Sequence, residues 1–273
     1  VQAKSLQGSH SSVFASGVQA DGSLGSAGGL QMNTAGSLAA HGTPLAAGSI
    51  AAKGATVDLS GSKTSGAGIS AIATDGNVVT SGAQVVTPGT LTIQANNQPT
   101  QGLVNQSGTL NAGQLQLNLA NLSNTLGGDI VQTGSQPLNI MLTGTLDNSG
   151  SRIASNGAVS IQAASLTNRS GTIAAVNGDL GIDALDRVDN TSGKLQSSGA
   201  VTLIGTGLDN TAGQISGQTI SIDARGQSLA NAQGLIYASE GNLRIASGAL
   251  NNDAGLIQSG GSLDIDTHGQ QLS

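Results

Sequence analysis

The residues with the strongest catalytic potential are four charged side chains between positions 183 and 189. Asp183, Asp186 and Asp189 surround Arg187. Carboxylates beside a basic group can exchange protons with a substrate, so this set could cleave a polysaccharide by acid–base chemistry. A solvated, charged turn after Ile182 is the simpler explanation, because one such cluster occurs and aromatic residues for a sugar subsite are almost lacking. We predict no catalytic residues and keep a polysaccharide-degrading enzyme as the alternative function.

Metal and cofactor chemistry has less support in the sequence. His10, His41 and His268 lie far apart along the chain, and we expect them to be far apart in any stack of repeats. A metal site needs several ligands close together. The Gly-Gly-Ser-Leu-Asp segment at residues 260–264 departs from calcium-binding Gly-Gly-x-Gly-x-Asp repeats. Cys is absent, which excludes disulfides and thiolate sites. We therefore predict no metal and no cofactor.

The composition restricts the elements that could position any site. Gly accounts for 42 of the 273 residues, hydrophobic residues make up 37 %, charged residues 9 % and aromatic residues 1 %. The core must therefore be thin and built from Leu, Ile, Val and Ala, since large rings are scarce. The net charge of −6 and the scattered basic residues argue against a nucleic-acid partner. No apolar run approaches the roughly 18 residues of a membrane span, so we predict a chain that does not cross a membrane.

Degenerate repeats dominate the second half of the chain. The unit is Leu-x-Asn-x-x-Gly-x-Ile, followed by a Gly turn and an apolar-x-apolar strand. Its opening positions are spaced by 20, 22, 20, 21 and 21 residues, at Leu146, Leu166, Val188, Leu208, Leu229 and Leu250. The pattern reaches back to Leu103 and Leu122 with more drift. Before residue 100 we identify only the strand signature, at Leu30-x-Met32, Val57-x-Leu59 and Leu91-x-Ile93.

The apolar spacing within each repeat predicts β-structure. Pairs such as Val159-x-Ile161 have period two, which is typical of strands. One repeat cannot bury a core alone, whereas stacked repeats bury a continuous column. We predict an all-β, right-handed parallel β-helix (solenoid) of roughly 13 coils with about 21 residues per coil, the hand following from parallel crossovers.

We predict one β-helix segment over residues 1–273, with irregular coils at 1–102 and regular repeats at 103–273. No signal peptide opens the chain, and its last residues are typical of the start of another repeat, so we expect a segment of a longer protein. The irregular part is where we expect surface loops or a binding site, because stacking alone explains the regular coils.

An Asn stands two positions after most opening residues, between two apolar positions predicted to face inward. Side-chain amides both donate and accept, so stacked Asn residues can bond from coil to coil. The alternative is a row of surface ligands for a sugar. Three of the four Asn-x-Ser/Thr sequons lie in this column, and we interpret them as chance rather than as glycan sites. The predicted structural ladder comprises Asn105, Asn124, Asn148, Asn168, Asn190, Asn210, Asn231 and Asn252.

The segments Leu208–Ile215 and Leu166–Ile173 resemble the repeats of filamentous haemagglutinins. Similar repeats form the stalks of contact-dependent growth-inhibition toxin-delivery proteins. The resemblance covers residues 103–273 well and the first hundred residues loosely. It implies a large, secreted, cell-surface exoprotein of a Gram-negative bacterium, exported by two-partner secretion through an outer-membrane transporter.

The resemblance also implies a function for the chain. We expect a structural or binding stalk segment, monomeric, that mediates adhesion or projects a toxin-delivery tip toward target cells. A host or target-cell surface receptor or glycan is then the expected partner. An adhesin and a toxin-delivery stalk both fit the segment, and a scaffold without a partner is a further alternative.

Overall fold

A computed structural model describes residues 2–23, 25, 27–95 and 98–273. These residues form short β-strands and turns, and none of them forms a helix that could cross a membrane. The chain divides into two compact units, residues 1–134 and 135–273. In each unit, strands of successive turns pair in parallel, as Leu6 pairs with Leu38 and Leu166 with Val188. The predicted class, an all-β parallel solenoid, is confirmed.

The first unit builds each complete turn from three short strands or from one short and one long strand. In the long strands β12 and β14, two successive strands of a turn are continuous, and their pairing shifts register between Thr87 and Thr90. The strands of this unit are β1 (Gln2–Ala3), β2 (Leu6–Gly8), β3 (Val13–Ser16), β4 (Leu30–Thr34), β5 (Leu38–Ala40), β6 (Thr43–Ala46), β7 (Ser49–Gly54), β8 (Val57–Asp58), β9 (Lys63–Ser65), β10 (Gly68–Ala73), β11 (Val78–Val79), β12 (Gln84–Ala95), β13 (Gly102–Gln106), β14 (Thr109–Leu119), β15 (Asn121–Thr125) and β16 (Asp129–Gln132).

The second unit repeats a three-strand turn with little variation. Its strands are β17 (Leu138–Met141), β18 (Thr145–Asp147), β19 (Arg152–Ser155), β20 (Val159–Ala163), β21 (Ser165–Thr167), β22 (Thr172–Ala175), β23 (Leu180–Ala184), β24 (Val188–Asp189), β25 (Lys194–Ser197), β26 (Ala200–Ile204), β27 (Leu208–Asp209), β28 (Gln214–Gly217), β29 (Thr219–Asp223), β30 (Leu229–Ala230), β31 (Leu235–Ala238), β32 (Leu243–Ala246), β33 (Leu250–Asn251), β34 (Leu256–Ser259) and β35 (Leu263–Asp266).

Alternation of apolar and polar residues places the core inside each turn. In β20, Val159 and Ile161 are buried while Ser160 is exposed. The register sets similar residues over one another: Ile161 pairs with Ile182, which pairs with Leu203. Branched aliphatic side chains therefore fill a narrow interior in layers, which is how a chain with almost no aromatic residues obtains a packed core.

The number of coils is smaller than the sequence predicted. The described residues form about 11 turns of ~21 residues rather than roughly 13. The first turn, from Leu6 to Leu38, takes 32 residues, and the turn from Val78 to Leu103 takes 25. Division of the length by one repeat overlooked these longer connections, which add residues without adding a coil.

The three apolar pairs identified before residue 100 are not equivalent. Val57 pairs with Leu38 and Val78, so Val57-x-Leu59 opens a turn. Leu30 and Leu91 instead belong to strands β4 and β12, in the column that ends each turn. Period two identified the strands correctly but did not distinguish the columns, because all inward positions carry the same aliphatic residues.

A residue with a left-handed backbone conformation lies in the turn after the opening strand of each regular repeat. It stands four positions after the opening residue, and φ lies between 52° and 58° at Ser170, Ser192, Ala212, Gln233 and Ala254. In the repeat that opens at Leu146, Gly150 takes this position with φ 62°. The Gly of that repeat is therefore one place early because it serves the left-handed turn, whereas the Gly of the other repeats follows the turn.

Substitution Ala212→Gly is expected to stabilise the second unit. Ala212 has φ 52°, a conformation that costs an L-residue about 1 kcal/mol relative to Gly. Greater flexibility of the unfolded chain offsets part of this gain, leaving about 0.5 kcal/mol. Urea unfolding of the wild type and the variant measures the difference. A lower midpoint in the variant would show that the Ala212 methyl group makes a contact that outweighs the backbone strain.

Candidate functional site: the asparagine column and the charged turns

The asparagine column consists of the eight Asn residues two positions after the opening residues. In the first unit, Asn105 Nδ2 donates to Asn124 Oδ1 at 2.7 Å. In the second unit, the same bond of 2.7 or 2.8 Å runs from each Asn to the next, through Asn148, Asn168, Asn190, Asn210, Asn231 and Asn252. Seven of the eight are 0 % exposed, and Asn252 is half-buried.

Each amide of the column also fixes the turn that follows it. Asn210 Nδ2 donates to the carbonyl of Gly213 at 3.3 Å and to that of Leu235, one turn further on, at 3.3 Å. Buried amides are costly unless they are paired, and these amides have all their partners inside the protein. A row of sugar ligands does not fit such a column, since a ligand could not reach it. The structural role assigned to these residues stays a prediction, which substitution tests.

The Gly that follows each left-handed residue is required for space rather than for its backbone angle. A Cβ atom on Gly213 would lie 2.6 Å from Asn210 Oδ1 and even closer to the carbonyl oxygen of Asn190. The same collisions occur at Gly171, Gly193, Gly234 and Gly255. The column and the Gly positions therefore depend on each other, which explains why the repeat combines Asn with a Gly three residues later.

Thr80 extends the asparagine column in the first unit, and the sequence analysis missed it. Its hydroxyl Oγ1 donates to Asn105 Oδ1 at 2.8 Å, and the residue is 1 % exposed. Thr80 stands two positions after Val78, the opening residue of its turn. The position of Thr80 in its repeat therefore marks it in the sequence, although its residue type differs from the Asn of the other turns.

The charged residues proposed for acid–base chemistry do not converge on one point. Asp183 lies at the outer face of β23 and pairs with Arg225 at 2.7 Å. Arg187 pairs with Asp209 of the next turn at 2.5 Å, and Asp186 is exposed between them. Acids that face separate arginines cannot share a substrate proton, so this arrangement does not favour a polysaccharide-cleaving centre.

Asp189, the remaining acid of the cluster, caps its own turn. Its Oδ1 accepts from Thr191 N at 3.0 Å and Thr191 Oγ1 at 2.7 Å, and its Oδ2 accepts from Arg169 Nε at 2.6 Å. Burial raises the pKa of Asp189, but the bonds from Thr191 and Arg169 outweigh burial and lower the pKa below its usual value. The same cap, in which a side-chain Oδ1 accepts from the backbone N–H two residues later, forms at Asp58, Asp147, Asp209 and Asn251. These caps complete the turn that precedes each Asn-bound Gly or its equivalent.

Acid is expected to destabilise the second unit partly through Asp189. Its pKa is lower in the folded chain than in the unfolded chain, so its stabilising effect is present above the unfolded pKa and is lost as the pH falls through the folded value. The melting temperature of the wild type should therefore fall more steeply than that of Asp189→Asn between about pH 5 and about pH 3. If the melting temperatures of the wild type and Asp189→Asn fell equally with pH, the role of Asp189 would be contradicted. Asp264→Asn, at an exposed acid, is the control and should follow the wild type.

Two of the three histidines meet, contrary to the prediction that all lie apart. The ring centroids of His10 and His41 are 5.6 Å apart, because parallel stacking brings residues one long turn apart into contact. His41 Nε2 lies 3.0 Å from Asp58 Oδ2 in the following turn. Burial raises the pKa of Asp58, but bonds from Ser60 and His41 outweigh it and lower the pKa. Among the described residues, no group of three or more side chains is arranged to hold a metal ion.

These features define a class of protein: parallel β-solenoids in which one short repeat makes one turn around a stacked aliphatic core. The haemagglutinin repeat family matches residues 13–87, 86–150, 143–191, 175–227 and 227–271, and the chain belongs to this family. The chain is 45 % identical over 127 residues to Toxin CdiA of Yersinia pestis. That stretch is 46 % of this chain and 4 % of the toxin. No solved structure matches the chain.

Proposed function

We propose that this chain is a stalk segment of a large, secreted, filamentous surface protein. The observation that carries the proposal is the one-repeat-per-turn stacking, in which each turn pairs with the next in a fixed register. A solenoid of this kind gains length with every repeat and needs contacts only between neighbouring turns. The segment therefore spaces a distal region away from the cell that makes the protein.

The similarity to a protein named as a toxin favours a toxin-delivery stalk over an adhesin within this class. The distal region held by the stalk is then a toxin that is presented to a target cell. A receptor or glycan on that cell is the partner of the assembled protein. The buried asparagine column and the separate ion pairs give the regular turns a structural explanation, so the stalk itself has no catalytic role in this proposal.

Export by two-partner secretion fits the physical character of the chain. The outer-membrane transporter of such a system is the proposed partner of the full-length protein, which would be monomeric and remain at the cell surface. A chain without Cys forms no disulfides that could block passage in an extended state. Contacts between adjacent turns also allow folding to advance turn by turn as the chain emerges.

Deletions in the full-length parent protein test the stalk role. Removal of residues 188–228 deletes two whole turns and joins Arg187 directly to Leu229, which then takes the place of Val188 in register. Surface display and delivery to target cells should persist. Removal of residues 188–238 cuts within a turn and should abolish both, since the columns no longer align. Equal loss in both deletions would overturn the proposal.

A binding assay separates a passive stalk from an adhesive one. The purified chain should show no more binding to target cells than a chain with the same repeats in shuffled order. Binding by the native order alone would favour the adhesin.

A further inference from the structure

A shallow cavity of about 360 Å³ lies on the outer surface of the second unit, where strands β17, β20 and β23 end. Leu142 and Ala163, which are 7 % and 4 % exposed, form an apolar floor. The volume is at the small end of the range of ligand pockets, which fits one long side chain of a partner. The cavity is lined by Leu142, Thr143, Gln162, Ala163, Asp183 and Leu185.

Leu185 forms a fixed apolar wall of this cavity. Its side chain is 67 % exposed, although its backbone is held on both sides. The Leu185 N–H donates to the Ala163 carbonyl at 3.0 Å, and its carbonyl accepts from Thr206 Oγ1 at 2.7 Å. Because the backbone of Leu185 is held on both sides, only its side chain has to become ordered when a ligand binds.

Arg225 holds the same wall from two turns away. Its Nη1 donates to the carbonyls of Ala184 at 2.8 Å and Leu185 at 3.1 Å, and its Nη2 donates to Asp183 Oδ1 at 2.7 Å. The guanidinium is thus occupied by the backbone and by one carboxylate oxygen. Arg225 builds the cavity wall and is not the group that a ligand would meet.

The cavity presents negative charge next to its apolar floor. Asp183 is 41 % exposed, and its bond with Arg225 Nη2 is made through Oδ1. Asp186 follows Leu185 and is also exposed. Arg225 pairs with Asp183 and Arg187 pairs with Asp209, so Asp186 is the acid in excess around the cavity. A ligand of complementary chemistry has a flexible aliphatic stem and a terminal cation.

We propose that this cavity binds a lysine side chain of a partner polypeptide. The four-carbon stem lies over Leu142 and Leu185, and the ammonium group reaches Asp183 Oδ2. Removal of the aliphatic stem from water stabilises the complex, as it does when long charged side chains cover apolar surface. The carboxylate provides the preference for a cation. The site goes beyond the spacing role of the stalk, which would stand if the site failed.

Two peptides that differ only in the terminal ammonium test the proposal. The intact chain is titrated with the peptide Ala-Leu-Lys-Leu-Ala and with the same peptide carrying norleucine in place of lysine. Methyl resonances of Leu142 and Leu185 report binding. The lysine peptide should bind about fivefold more tightly, as one partly exposed ion pair allows. Equal affinity for the two peptides, or no shift of these methyl groups with either, overturns the proposal.

Variants of the cavity separate its charge from its apolar floor. In Asp183→Asn the preference for lysine should disappear, and in Leu185→Ser both peptides should bind several-fold more weakly. Leu185→Ser leaves the backbone bonds and Arg225 in place, so it reports on the cavity even if Asp183→Asn disturbs the turn. Leu256→Ser, at another exposed leucine of this unit, should change neither affinity. A lysine preference that survives Asp183→Asn would contradict the site.

Discussion

Asn210→Asp is expected to destabilise the second unit by about 3 kcal/mol or more. Asn210 is 0 % exposed, and its Nδ2 donates to Asn231 Oδ1 at 2.7 Å. A carboxylate of nearly the same shape has no hydrogen to donate there. It would place a charge in the interior and face the acceptor oxygens of Asn231, Gly213 and Leu235 without a bond. Urea unfolding, together with amide hydrogen exchange in residues 208–236, measures the loss.

Asn251→Asp is the matched control for this substitution. Asn251 belongs to the same kind of repeat but is exposed, and its Oδ1 accepts from Asp253 N at 2.9 Å. Asp189 and Asp209 form the same cap at the corresponding positions of earlier turns. The control should therefore unfold within about 0.5 kcal/mol of the wild type. If the two variants lost similar stability, the asparagine column would not have the structural role predicted for it.

Gly213→Ala is expected to cost about 3 kcal/mol, which is large for the addition of one methyl group. The new Cβ would lie 2.6 Å from Asn210 Oδ1 and 3.0 Å from Asn190 Nδ2, and closer still to the Asn190 carbonyl oxygen. Asn190 Nδ2 and Asn210 Oδ1 bond each other within the column, and the Asn190 carbonyl accepts from Gly193 N, so a shift of any of these atoms strains a hydrogen bond. The measurement is the urea midpoint, with exchange of the amides of β27 and β28 as a local readout.

Gly226→Ala separates steric collision from backbone strain. Gly226 has φ 71° and no atom within 4 Å of an added Cβ, so only the left-handed backbone opposes the change. The expected cost is about 1 kcal/mol. A Gly213→Ala variant no worse than Gly226→Ala would mean that the column can shift to make room, and that the turns are less tightly coupled than their geometry indicates.

Period-two spacing was sufficient to predict the fold class, because an inward face of Leu, Ile and Val has few alternatives in a chain of short repeats. In the first hundred residues, the same spacing did not predict which strands open a turn and which end it. Val57 and Leu91 look alike in sequence, and only strand pairing shows that one opens a turn and the other ends it. The number of coils was wrong for a related reason, since insertions such as the 32-residue first turn leave no mark in an average repeat length.

The candidate sites show the same division between local and non-local information. The positions of the Asn residues follow from the repeat, because identical positions of stacked turns must lie over one another. The contact between His10 and His41 depends on the length of one irregular turn, which the sequence does not disclose. The cavity beside Leu185 depends on Arg225, about 40 residues further along the chain, whose side chain passes over the turn between them.

Distances between spin labels in the second unit test the central claim, that one repeat makes one turn. The chain has no Cys, so labels attach only at introduced cysteines. Thr172 on β22 stacks through Lys194, Gln214 and Leu235 to Leu256 on β34. Electron paramagnetic resonance from a label at Thr172→Cys to labels at Gln214→Cys, Leu235→Cys and Leu256→Cys should give distances that rise by about 4.8 Å per repeat. Distances that do not rise in equal steps would contradict the stacked solenoid and the stalk role built on it.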